Sequence, residues 1–110
     1  MAGQRREVAV IRHIVWWTLK DRAEGASAAE NARKMKEMLE SLKDSVPSVN
    51  DMEVVVDFLP STTEPVGVLL VTTHDGTLQL KEYAEDPEHA RVVEFVRKVV
   101  ATRKAIDYEV

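Results

Sequence analysis

Val8-Ala9-Val10-Ile11-Arg12-His13-Ile14-Val15-Trp16-Trp17-Thr18-Leu19 is the stretch on which the fold turns. Its β-branched and aromatic residues read as one long strand, closed by Asp21 to Gly25. With a period of two, Ile11, His13, Val15, Trp17 and Leu19 share one face and Arg12, Ile14, Trp16 and Thr18 the other. Both faces are largely apolar, whereas an antiparallel sheet with one wet face alternates cleanly. A sheet built on this strand therefore needs a cover on each side.

The next segments supply one cover. Ser27 and Glu30 have capping-box spacing, each satisfying an orphan amide of a starting helix. Ala32, Met35, Met38, Leu39, Leu42 and Val46 then recur at helical spacing, and the helix ends before Pro47. Met52 to Phe58 alternates as a strand, Pro60 to Pro65 form a turn-rich loop, and Val66 to His74 is a strand apolar on both faces at Leu69, Leu70 and Val71. After Asp75-Gly76-Thr77 comes a short helix, Leu78 to Ala84. Asp86-Pro87 opens another, because aspartate is a good N-cap and proline suits the first helical position. Val92, Val93, Val96, Val99 and Val100 are its stripe, with Arg97, Lys98, Arg103 and Lys104 as closing cations that match the helix dipole. Ala105 to Val110 alternates as a last strand.

This order predicts an α+β fold, an antiparallel sheet with its helices on one face. No element remains to cover the other face, so a homodimer joined through the open sheet faces about a two-fold axis is expected. Residues 1–7 are expected to be a flexible N-terminal extension and 8–110 a single domain. The 110 residues carry 45% hydrophobic and 31% charged side chains, a net charge of −4 and no cysteine. Disulfides, thiolate nucleophiles and cysteine zinc sites are thereby excluded, and a cytoplasmic setting is the expectation. Arg12 and His13 interrupt the first apolar run, which argues against a signal peptide or membrane anchor. The acidic balance disfavours nucleic acid as a partner.

Candidate chemistry gathers at Lys81-Glu82-Tyr83-Ala84-Glu85-Asp86-Pro87-Glu88-His89. With Asp86 as N-cap, His89 is the third helical residue. Seven residues separate it from Val96, which places the two within about 20° on the helix surface and points the imidazole inward with the valines. Tyr83, three residues after Leu80, can also face inward. An imidazole and a phenol directed at one interior suit proton transfer, although the same spacing fits a cap-side histidine and a packing tyrosine. The helix N-terminus favours neutral His89, while Asp86 and Glu88 favour its protonated form. His13 would look toward His89 if its face lies under the helices, and would otherwise lie at the dimer seam. His74, beside Asp75 and Gly76, is expected to be a solvated turn residue. The three histidines lack metal-ligand spacing, so no metal is expected, and no phosphate loop or dinucleotide fingerprint is present.

Taken together, the segment from Ile11 to Asp21, the one from Tyr83 to His89, the helix through Val92, Val93 and Phe95, and the close at Ala105-Ile106-Asp107-Tyr108 resemble the stress-responsive dimeric α/β-barrel (Dabb) family. The resemblance implies a ferredoxin-like βαββαβ protomer with a four-stranded antiparallel sheet, pairing into a dimeric barrel. It further implies chemistry like that of the family's plant polyketide cyclases of the olivetolic acid type. These close a linear chain by aldol condensation without a cofactor, using a Tyr-x-x-His-Pro-x-His segment. Tyr83 and His89 match its tyrosine and last histidine, Asp86 replaces its first histidine, and His13 matches a cavity-lining strand histidine. The implied ligand is a small carbonyl or polyketide-like molecule, with His89 as base, Tyr83 as donor and His13 as orienting group. A non-catalytic dimeric stress-response or interaction module is the alternative. A cofactor-free monooxygenase on a similar barrel, supported only by Trp16 or Trp17 near His89, is another.

Overall fold

The computed structural model describes residues 9–110, so the expected N-terminal extension over 1–7 lies outside the described residues. Nine elements follow in order: β1 (Ile11–Leu19), β2 (Arg22–Ala23), β3 (Ala26–Ser27), α1 (Ala28–Ser45), β4 (Asp51–Val55), β5 (Val68–His74), α2 (Thr77–Glu85), α3 (Pro87–Val99) and β6 (Val100–Glu109). The main sheet runs β4-β5-β1-β6 and every neighbouring pair is antiparallel. This is the ferredoxin-like α+β arrangement, with the apolar strands β1 and β5 in the middle.

Local chemistry sets the helix ends. The Ser27 hydroxyl accepts from the Glu30 amide at 3.2 Å and the Glu30 carboxylate accepts from the Ser27 amide at 2.9 Å, completing the capping box. Met35 and Leu42 on the inner stripe of α1 are fully buried, each contributing roughly 1.5–3 kcal/mol relative to exposure. They meet Val15, Trp17, Val54, Val68 and Leu70 from the sheet and Val92, Val96 and Val99 from α3 in one core. Before α1, Glu24 and Gly25 both take positive φ, 52° and 75°, and turn the β2–β3 hairpin within two residues. The sequence reading treats this segment only as a strand end.

Several boundaries differ from expectation by one or two residues, β5 beginning at Val68 and not at Val66 among them, and two differ by more. The strand expected over Met52 to Phe58 stops at Val55, opposite Leu69, because β5 begins at Val68 and little neighbouring strand remains to pair with. The last strand, expected from Ala105, begins at Val100 directly after α3. Thus Arg103 and Lys104 are not helix-end cations. They lie in β6 opposite Trp17 and Trp16.

The faces of β1 separate as their parity requires. Ile11, Val15 and Trp17 are buried under the helices, whereas Arg12, Ile14, Trp16 and Thr18 remain partly exposed on the far side. There Ile14 stands between Val71 and Ile106 in register. Ile106 is 51% and Tyr108 44% exposed, leaving an apolar outer face that no element of the described chain covers.

Candidate active site

Asp86 joins the two helices that carry Tyr83 and His89. Its amide donates to the Tyr83 carbonyl at 3.3 Å, closing α2. Its carboxylate accepts from the Glu88 amide at 2.8 Å, opening α3, with Pro87 at the start as expected. One residue therefore fixes the bend, and the rings of Tyr83 and His89 meet edge to face with centroids 4.6 Å apart.

His13 lies on the helix-facing side of β1, which settles the choice left open by the sequence. Its ring centroid is 6.4 Å from that of Tyr83. Its Nδ1 pairs with the carboxylate of Asp107, directly opposite in β6. Since a carboxylate only accepts, Nδ1 carries the proton and Nε2 is left available on the other side of the ring.

His74 corrects the sequence expectation. It is fully buried, not a solvated turn residue. Val68, Leu70, Thr72 and His74 all point inward along β5, so parity carries the last residue under the helices with the others. Nδ1–H donates to the Ser48 carbonyl at 2.7 Å, since a carbonyl only accepts, and Nε2 shares a 2.9 Å hydrogen bond with the Thr72 hydroxyl, which can donate or accept. The ring lies 5.1 Å from that of Tyr83. All three histidines of the chain thus surround one phenol.

Burial sets the electrostatics of the cluster. It pushes the Tyr83 hydroxyl up to about 12, so the phenol keeps its proton at any physiological pH. For His89, burial lowers the pKa most, the nearby His13 lowers it further, the Ala84 carbonyl and Asp86 oppose, and Arg103 adds a small depression. Neutral, basic imidazole is therefore favoured, with burial as the leading cause. His74 is lowered chiefly by burial as well, against the stabilising Ser48 carbonyl.

The Tyr83 hydroxyl is buried and has no hydrogen-bond partner among the described residues. Tyr83, His89 and His13 line a cavity of about 480 Å³, within the range of small-molecule sites. Trp17, Val92 and Val96 are among its apolar walls, and Arg97 and Arg103 also border it. Trp16 is absent from it, on the opposite sheet face. Among the described residues, no group of three His, Asp or Glu side chains is arranged to hold a metal ion.

The sequence-read residues His13, Tyr83 and His89 are thus brought together, and three more join them. His74 was signalled by strand parity, whereas Arg103 and Asp107 carry no local signal: the residues around Arg103 also fit a helix end, and Asp107 meets His13 only through strand register.

The family model for the stress responsive A/B barrel domain matches residues 11–110. The chain belongs to this family. Its A/B barrel domain is similar to a dimeric ferredoxin-like protein of unknown function from Bacteroides fragilis, with 25% identity over 92% of this chain and 96% of that one and a TM-score of 0.80. A dimeric ferredoxin-like protein from Thermobifida fusca gives 18% identity, 97% and 96% coverage and a TM-score of 0.79. A hydroxynitrile lyase from Passiflora edulis shares the fold at 13% identity, with 92% and 93% coverage and a TM-score of 0.72. No curated protein matches the sequence. No helix of the described A/B barrel domain is long and apolar enough to cross a membrane.

Proposed function

We propose that this A/B barrel protein is a homodimer, paired through its outer sheet faces, that binds a small carbonyl compound between sheet and helices and catalyses cofactor-free carbon–carbon bond chemistry of the aldol or lyase type. The observation that carries this reading is the buried Tyr83 hydroxyl, without a partner among the described residues, on a ring that meets a basic imidazole and lines a cavity. A buried donor left unpaired costs about 1–3 kcal/mol, which a substrate oxygen would offset.

In the aldol direction, His89 takes a proton from the carbon next to a carbonyl and the C–H pair becomes an enolate. Tyr83 donates a hydrogen bond to the enolate oxygen, at a position where a preorganised donor stabilises developing charge. The enolate carbon attacks a second carbonyl, one carbon–carbon bond forms, and the resulting alkoxide receives the proton held by His89. Protons are only moved within the reaction, so no redox partner is required. His13, oriented by Asp107, presents Nε2 to the substrate. The reverse sequence breaks a carbon–carbon bond, and the hydroxynitrile lyase from Passiflora edulis, alike in fold, supports a lyase reading beside the cyclase one.

Two alternatives are weaker. An interaction module would be expected to fill its interior with valine, whereas a cavity reaches Tyr83 and His89. For a monooxygenase, Trp17 in the cavity wall is the sole support. The outer-face pairing draws on Ile14, Trp16, Leu69, Val71 and Ile106, and on the dimers described for the Bacteroides fragilis and Thermobifida fusca proteins.

Imidazole and phenol NMR signals followed during titration with phenolic and linear diketone ligands test the reading. Saturable shifts at His89 and Tyr83 are expected, together with turnover of a linear polyketide analogue that is lost in His89→Ala. A histidine that does not respond to any of these ligands would overturn it.

A further inference from the structure

We infer that the ligand of this cavity carries an anionic group, a carboxylate or its equivalent, at the end opposite its reacting carbonyl. The inference rests on the reading of the cavity as a small-molecule site and adds its charge and length.

The polar residues that line the cavity fall into two chemically distinct sets: Tyr83, His89 and His13, the last paired with Asp107, and the exposed arginines Arg97 and Arg103. Neither arginine makes an ion pair with a carboxylate of the described residues, although Glu88, Glu64 and Asp107 each pair elsewhere. The rest of the lining is apolar, with Val15, Trp17, Val92 and Val96 among it.

Secondary structure sets the spacing twice over. His89 and Arg97 are eight residues apart on α3, which at 1.5 Å per residue separates their backbones by about 12 Å. Asp107 and Arg103 are four apart on β6 and face the same side, a separation of about 13 Å. The two elements thus give similar backbone separations. The arginine side chains shorten them from one end, and the charge of Arg103 is felt at His89. Guanidinium is the group that binds a carboxylate through two parallel hydrogen bonds, and two of them beside an apolar channel suit an amphipathic acid better than a neutral chain. Such an anchor would hold the reacting carbonyl at Tyr83 and His89 by fixing the far end of the molecule.

The test uses the full-length protein and two probes, a linear oxooctanoic acid with its ketone beside the terminal methyl group, and the methyl ester of that acid. Calorimetry gives each affinity, and NMR reports whether Tyr83 and His89 respond. The acid is expected to bind at least about tenfold tighter than the ester, equivalent to about 1.4 kcal/mol. In Arg97→Gln/Arg103→Gln the acid should fall to the affinity of the ester, while the ester is unchanged. Both positions are exposed, so the fold should survive, and a melting curve checks it. Equal binding of acid and ester in the native protein, with Tyr83 and His89 both responding, overturns the anionic anchor and leaves the carbonyl site standing. If neither probe binds, the anchor and the cavity reading fall together.

Discussion

Removing the Tyr83 hydroxyl should leave the unliganded protein as stable as before, or more so. In most cores Tyr→Phe deletes a hydrogen bond and destabilises. Here the hydroxyl is buried, without a partner among the described residues, and Tyr83 is only 1% exposed. Tyr83→Phe keeps the ring against His74 and His89 and removes only the group that suffers desolvation. Relief of an unpaired buried donor is worth about 1–3 kcal/mol, reduced toward zero to the extent that water in the cavity serves the hydroxyl. A gain of about 1 kcal/mol would raise the melting temperature by roughly 4–8 °C in a domain of this size. Thermal and urea unfolding must be compared at one protomer concentration, since dimer formation also moves the midpoint. The same variant should lose ligand-induced stabilisation and turnover, because the hydroxyl is needed only when a substrate oxygen is there to accept from it. A loss of about 1 kcal/mol or more in the unliganded variant would refute the reasoning, for it would mean that the hydroxyl is structurally paired.

Acidification should destabilise the fold as the pH drops below 6.5, the ordinary histidine value, and through the lower folded-state values of His74 and His89, because the unfolded chain then binds more protons. At the alkaline end, stability is complete below the ordinary tyrosine value of 10.0 and is lost as the pH rises through about 12, because Tyr83 stays protonated only when folded; denaturation at stepped pH with His74→Gln and Tyr83→Phe as controls reads both edges. Asp86→Ala removes the cap of α3 and should cost about 1 kcal/mol in chemical denaturation. It should also weaken the nuclear Overhauser contacts between the Tyr83 and His89 rings, whereas a purely local cap would leave them intact. Ile106→Lys, at a position already half exposed in the protomer, should leave protomer secondary structure unchanged yet yield monomers in sedimentation; a persistent dimer would show that the outer sheet face is not the seam.

How far the site could be read from sequence depended on the distance over which each signal acts. Tyr83 and His89 were legible because helical phase and a cap at Asp86 are local, spanning seven residues. His13 was half legible: parity placed it with Val15 and Trp17, but only the packing of α1 and α3 says which face they cover. His74 carried the same parity signal through Leu70, and its neighbours Asp75 and Gly76 masked it by reading as a turn. Asp107 is beyond local inference, since its meeting with His13 joins residues 94 apart and depends on strand register. Arg103 shows a different failure. Val99 and Val100 continue the valine stripe of α3 and basic residues follow, so a helix reading explains every residue up to Lys104 on its own terms. What defeats it is β1, whose long unpaired edge accepts hydrogen bonds from Val100 onward and pulls the chain into β6. That competition between a local dipole preference and a non-local ladder moves one cation from a solvated helix end to the border of the cavity. The charge that Arg103 brings to the cavity is thereby a product of the sheet, whereas Arg97 stays in the last turn of α3 where local sequence places it.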